Sequence, residues 1–254
     1  MTTTSQLFMP PRLLRPGRNR LAPLPFLGIW SQMGLVDDTS AAAIDTVMVA
    51  PGTYNETIIL KNGVLVMSSG GRTATTITWG SGSVVSSTGN GDLTLLKGFT
   101  VGGLGTATNS LYCMDSLPTI EDCVFKRAVN GGNFTFGSTP LMSGNLFTLN
   151  QSGIALADTS APVLHANTFD GNTFCGVNNN SDVGPVLGKA LPEANDFLSN
   201  GLYQIFNLKT EPVSAEYNYW GSDCVGDSLF CGLVDYTPWT DAFKVSLISC
   251  IGSS

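Results

Sequence analysis

Two aspartates stand at matching places in a repeating pattern. Asp158 lies four residues before Pro162, and Asp182 three before Pro185. If those prolines begin equivalent strands, the two carboxylates fall in neighbouring turns of the chain, where a pair of acids can share a hard cation such as calcium. Asp115, three before Pro118, belongs to the same set. The residues fit a plainer role equally well, because an Asp ahead of a turn caps it with its own side chain.

Other chemistry is sparse. The one histidine, His165, sits in VLHANTF without flanking glycines, and Asp37–Asp38 is an acidic pair that precedes the repeats. The repeats contain the cations Lys61, Arg72, Lys97, Lys126, Arg127, Lys189 and Lys209. Neighbouring strand residues point to opposite faces, so at most one of Lys126 and Arg127 can serve a given groove. Aromatic residues gather near the C-terminal end as Tyr203, Tyr217, Tyr219, Trp220, Tyr236 and Trp239. Tyr203, Tyr236 and Trp239 are candidate platforms for sugar rings. Tyr236 and Trp239 equally suit a cap over the last turn, which an open-ended stack needs.

Of six cysteines, Cys224 and Cys231 flank a short loop at a separation that predicts a disulfide. Cys113, Cys123, Cys175 and Cys250 have no metal-binding spacing and read as small apolar side chains.

The elements that position these residues follow from a period near 22. Pro118, Pro140, Pro162 and Pro185 recur at that interval, and seven residues after each of the first three stands Phe125, Phe147 or Phe169. Phe197 and Trp220 continue the aromatic column. Two places earlier run Cys123, Asn145, Asn167, Asn195 and Asn218, and three places later Asn150, Asn172 and Asn200. Such a period requires a solenoid of short elements. The alternation of apolar residues between Gly and Asn punctuation predicts strands and tight turns, three strands per repeat. Stacked turns pair through backbone groups, which leaves most side chains free to vary. Phe then fills one interior slot per turn, Asn forms amide ladders at bends with positive φ, and Pro opens strands. From Val47 to Trp220 the chain has room for roughly eight turns of about 22 residues, a rod about 38 Å long.

Composition agrees. Only 12% of residues are charged, whereas 43% are hydrophobic, which suits a strand-rich surface of neutral polar groups over a real core. Four of the 12 basic residues, Arg12, Arg15, Arg18 and Arg20, precede every acid. The acidic remainder argues against nucleic acid as a partner. No apolar run reaches membrane-spanning length. Residues 1–36, broken by five prolines, are expected to be an atypical, disordered N-terminal segment. Residues 37–245 then form the β-helix domain with its C-terminal cap, and 246–254 a tail.

VMVAPGTYNETIIL (Val47–Leu60), the repeats NTFDGN and NDFLSN, and YNYWGSDC followed by VDYTPWT resemble right-handed parallel β-helix proteins of the pectin lyase-like superfamily. The resemblance implies an all-β, right-handed parallel β-helix in an exported protein, outside the cell or in its envelope. Relatives place a capping helix before the first strand, of which only TSAAAID (Thr39–Asp45) remains. The resemblance says little about activity, and the sparse chemistry of the repeats leads us to expect a non-catalytic exported or cell-surface scaffold that could bind polysaccharide along a solvent-exposed sheet. The alternative is a calcium-dependent polysaccharide lyase with Asp158, Asp182 and Lys189 or Arg127 at its groove.

Overall fold

The structure, a computed structural model, describes residues 20–21, 28–29 and 45–248. The chain winds through about eight turns of a β-solenoid, each turn laying one short strand on each of three faces. The first face stacks Asp45–Val49, Val64–Ser68, Leu95–Lys97, Thr119–Glu121, Leu141–Ser143, Val163–His165 and Val186–Leu187, all parallel. The second stacks Gly52–Asn55, Thr75–Thr78, the beginnings of the long strands Thr100–Met114 and Val124–Thr135, then Leu146–Thr148, Thr168–Asp170 and Asp196–Phe197. The third runs from Ile58–Ile59 through Ser83–Thr88, the remainders of the two long strands, Ser152–Asp158, Cys175–Ser181 and Tyr203–Asn207 to Phe230–Cys231.

The period of 22 is the register of this stack. Phe125 pairs with Phe147, Phe147 with Phe169, and Phe169 with Phe197. Their rings stack inside the rod with centroids 5.2, 5.0 and 4.8 Å apart, and Trp220 continues the column at 4.7 Å. Pro140 and Pro162 stand at strand starts, where their carbonyls accept the N–H groups of Val163 and Val186 from the next turn.

The Asn column forms a continuous ladder. The side-chain amide of Asn145 donates to Oδ1 of Asn167, that of Asn167 to Asn195, and that of Asn195 to Asn218. Asn150, Asn172 and Asn200 form a second ladder at the next bend. One expectation is corrected. The positive φ at the first bend belongs to the residue before the ladder, Gly144 (φ 64°) and Ala166 (φ 52°), and not to Asn145 or Asn167. The Asn contributes hydrogen bonds there, while its neighbour makes the turn.

A third column, Gly131, Gly153 and Gly176, packs backbone on backbone. A Cβ on Gly153 would lie 2.5 Å from the carbonyl oxygen of Gly176 and 2.8 Å from Cδ1 of Phe169. Only glycine admits both the aromatic column and the next turn.

Both ends are covered. Arg20–Leu21 pairs in parallel with Thr46 and Val47. Ile29 is fully buried in the core, and its N–H donates to Oε1 of Glu56 at 2.7 Å. At the other end Phe230 packs edge-on against Trp220 and stacks on Tyr236. Trp239–Thr240 pairs antiparallel with Leu247–Ile248, and Nζ of Lys244 clips this hairpin to Asp196 and the carbonyl of Ala194. The rest of the 1–36 segment, residues 37–44 with most of TSAAAID, residues 249–254 and Cys250 lie outside the described residues. No helix among the described residues is long and apolar enough to cross a membrane.

The expected Cys224–Cys231 bridge is not made, because Cys231 is a free thiol. Cys231 lies in the strand Phe230–Cys231, paired opposite Phe206, whereas Cys224, in the loop ahead of the 3₁₀ turn Asp227–Leu229, is disulfide-bonded but not to Cys231. Cys113, Cys123 and Cys175 are buried thiols. Desolvation pushes the thiols of Cys123 and Cys175 up to about 12, so they act as apolar packing.

Candidate functional site

The solenoid distributes the charged candidates over its three edges. Asp158 and Asp182 lie in adjacent turns where the third face bends into the first, and Asp182 N–H donates to the carbonyl of Asp158 at 2.7 Å. Their carboxylates part from there. Oδ2 of Asp158 accepts the N–H of Phe136 in the preceding turn at 3.0 Å, whereas Oδ1 of Asp182 pairs with Nζ of Lys209 in the following turn at 2.8 Å. Asp158 itself has φ 58°, a conformation that Asp tolerates through local hydrogen bonding.

Lys189 is exposed after the first-face strand Val186–Leu187. Its backbone N–H donates to Glu193. Arg127 is exposed at the bend from the second face to the third, with φ 58°. His165 ends a first-face strand, with Nε2 3.7 Å from Glu193 Oε2. Asp158 and Asp182 therefore share no edge with Lys189, Arg127 or His165, and Lys209, the cation beside them, is paired with Asp182. Among the described residues no three His, Cys, Asp or Glu side chains gather as they would around a metal ion.

The aromatic candidates also divide. Trp239 is 2% exposed and belongs to the cap. Tyr236 stacks on Phe230, and its hydroxyl donates to Oδ1 of Asp227 at 2.6 Å. That hydrogen bond, followed by burial and the carboxylate charge, pushes the phenol up to about 12. Tyr203 instead faces outward on the third face beside Phe174, at 6.1 Å and edge-on, and Phe206, at 5.5 Å. The cluster is half-buried.

This third face has a distinctive composition. From Ser83 to Asn207 its strand segments read SVVSST, NSLYCM, NGGNFT, SGIALAD, CGVNNNS and YQIFN, with a single charged residue, Asp158, at the far edge. Alternation turns Val85, Leu111, Ile154, Val177 and Ile205 into the core, which leaves the column Ser86, Tyr112, Asn133, Ala155, Asn178 and Phe206 facing out in register. Ala155, with Ala157 beside it, forms a low rung between two taller ones. Asn133 and Asn178 flank it. Oδ1 of Asn178 is buried without a hydrogen-bond partner, and the Asn133 amide and the Tyr203 hydroxyl bond to no other described residue. The result is a shallow trough with amide walls and an aromatic end. Beyond it, at the last bend, a neutral cleft of about 530 Å³ is lined by Ser199, Gln204, Tyr219, Trp220, Ser222 and Ser228 among others.

Of the trough residues, sequence reasoning found only Tyr203. Asn133 and Asn178 are two periods apart and share the column with Ala155, so the signal was present in the register. It could not be told from that of an exposed turn.

A fold of this kind offers a long parallel surface on which a polymer can lie, and the family comparison agrees with the fold. The family model "Right handed beta helix region" matches residues 62–208, more than half of the chain. No curated protein and no solved structure matches significantly. With three parallel faces, stacked Phe and Asn ladders and this match, the chain belongs to the right-handed β-helix family.

Proposed function

We propose that the protein is an exported or surface-associated β-helix scaffold that binds a neutral polysaccharide along its third face. The trough around Ala155 carries this reading. The Asn133 amide and the Tyr203 hydroxyl can exchange hydrogen bonds with sugar hydroxyls, and the Phe174–Tyr203–Phe206 cluster offers an apolar wall to a pyranose ring. A polyuronate would find no cation on this face to neutralise it. The lyase alternative needs a base and charge-stabilising groups converging on one sugar unit. Here Asp158 and Asp182 are engaged with opposite neighbours, and Lys189 and Arg127 stand on other edges.

Retention on immobilised neutral and acidic polysaccharides tests the reading. Neutral polymers are expected to retain the protein, and the double substitution Tyr203→Ala with Phe206→Ala is expected to weaken retention roughly tenfold, a loss of about 1.4 kcal/mol. Retention by polyuronates alone, or release of an ultraviolet-absorbing unsaturated product from one, would overturn it.

A further inference from the structure

A second position with the same chemistry lies near the opposite end of the rod. Trp79 follows the strand Thr75–Thr78 at the bend from the second face to the third. It is 41% exposed, whereas Trp220 and Trp239 are each 2% exposed. With Asn55, Thr78, Gly80, Ser81 and Leu104 it lines a shallow cleft of about 390 Å³, within the size range of small-ligand sites.

The polar groups around the indole differ in one respect. The Thr78 hydroxyl donates to the carbonyl of Gly102 at 2.9 Å, and the Thr106 hydroxyl to that of Gly80, so these two maintain the bend. The Asn55 amide, the Ser81 hydroxyl and the Trp79 indole N–H make no hydrogen bond to another described residue. One exposed aromatic face is thus surrounded by unpartnered donors and acceptors. No charged side chain lines the cleft. An ionic ligand would find no counter-charge here, and a purely apolar one would cover the three polar groups without replacing their water. A neutral sugar meets both requirements, with C–H groups for the indole face and hydroxyls for the amide and the serine.

Register relates this cleft to the trough. Ser83–Thr88, which follows Trp79 in the same turn, lies five strand steps from Tyr203–Asn207 on the third face. At about 4.8 Å per step the separation along the rod is roughly 24 Å.

We propose that the Trp79 cleft is a second subsite for a neutral sugar residue, and that one polysaccharide chain engages it and the third-face trough together. This inference rests on the carbohydrate-binding reading above. Joining the sites through one ligand raises the effective concentration at the second once the first is filled, but only for chains long enough to span them.

The test uses neutral gluco-, manno-, xylo- and galacto-oligosaccharides of graded length as probes, with affinity and tryptophan fluorescence measured on the full chain. Wild-type affinity is expected to rise with length. Trp79→Ala is expected to abolish that rise, by tenfold or more at the longest chains, while leaving the shortest unaffected and the melting temperature unchanged. Trp79→Tyr is expected to restore part of it. If wild type and Trp79→Ala bind a series equally at every length, the second subsite is refuted and the trough reading stands. If wild type binds no neutral series and its fluorescence does not move, both fall together.

Discussion

Oδ1 of Asn167 accepts two hydrogen bonds from Asn145 at once, from its backbone N–H and from its side-chain Nδ2, each at 3.0 Å. The Asn167 amide in turn donates to the carbonyl of Met142 and to Oδ1 of Asn195. Each Asn thus satisfies a backbone donor and a backbone carbonyl that the bend withdraws from the sheets. Asn167→Leu would strand these buried groups at about 1–3 kcal/mol each. A fall in melting temperature of about 10 °C or more is expected in thermal unfolding. Unchanged melting would refute the structural role of the ladder.

The glycine column separates packing from turn geometry. Gly153→Ala places a methyl against a carbonyl oxygen and a stacked Phe ring, neither able to retreat. Gly144→Ala meets nothing within 4 Å and carries only the strain of φ 64°, roughly 1–2 kcal/mol. In parallel denaturant titrations, Gly153→Ala is expected to lose clearly more stability than Gly144→Ala.

Asp158 and Asp182 should respond differently to substitution. Asp158→Ala removes an acceptor from the Phe136 N–H and is expected to cost about 1 kcal/mol. Asp182→Ala breaks an exposed pair with Lys209 and should change stability by less than about 1 kcal/mol. Chelation of divalent cations is expected to leave the melting temperature in place. A chelator-dependent fall that Asp158→Ala or Asp182→Ala abolishes would assign the pair to a cation instead.

The cap has an alkaline signature. The Tyr236 phenol is pushed up to about 12 from an ordinary value of 10.0, chiefly by its hydrogen bond to Asp227. The folded state therefore favours the protonated phenol. Its contribution is complete below pH 10 and is lost as pH rises towards 12. Melting curves of wild type and Tyr236→Phe should converge over that window, with wild type the more stable below it. A constant difference across the window would show that Tyr236 is not the titrating group.

Much of the architecture was legible in the residues. Pro140, Asn145 and Phe147 recur because each meets the same demand in every turn: a strand start, a ladder rung and an interior plug. Such demands are local and periodic, so they survive in one dimension. That Cys231 stays a free thiol was not legible, because a spacing of seven residues shows that two sulfurs can meet and not that they do. Nor was the placing of positive φ, since Gly144 and Asn145 are adjacent and both tolerate bends.

For the site, the sequence alone determined which groups exist and that Asp158 and Asp182 fall in neighbouring turns. Tertiary structure decided where they point. The carboxylates bond to opposite neighbours, while Asn133, Ala155 and Asn178, scattered over two periods of chain, become one trough about 10 Å across. Side-chain direction depends on strand register and on which backbone groups remain unpaired, and both arise only when the turns stack.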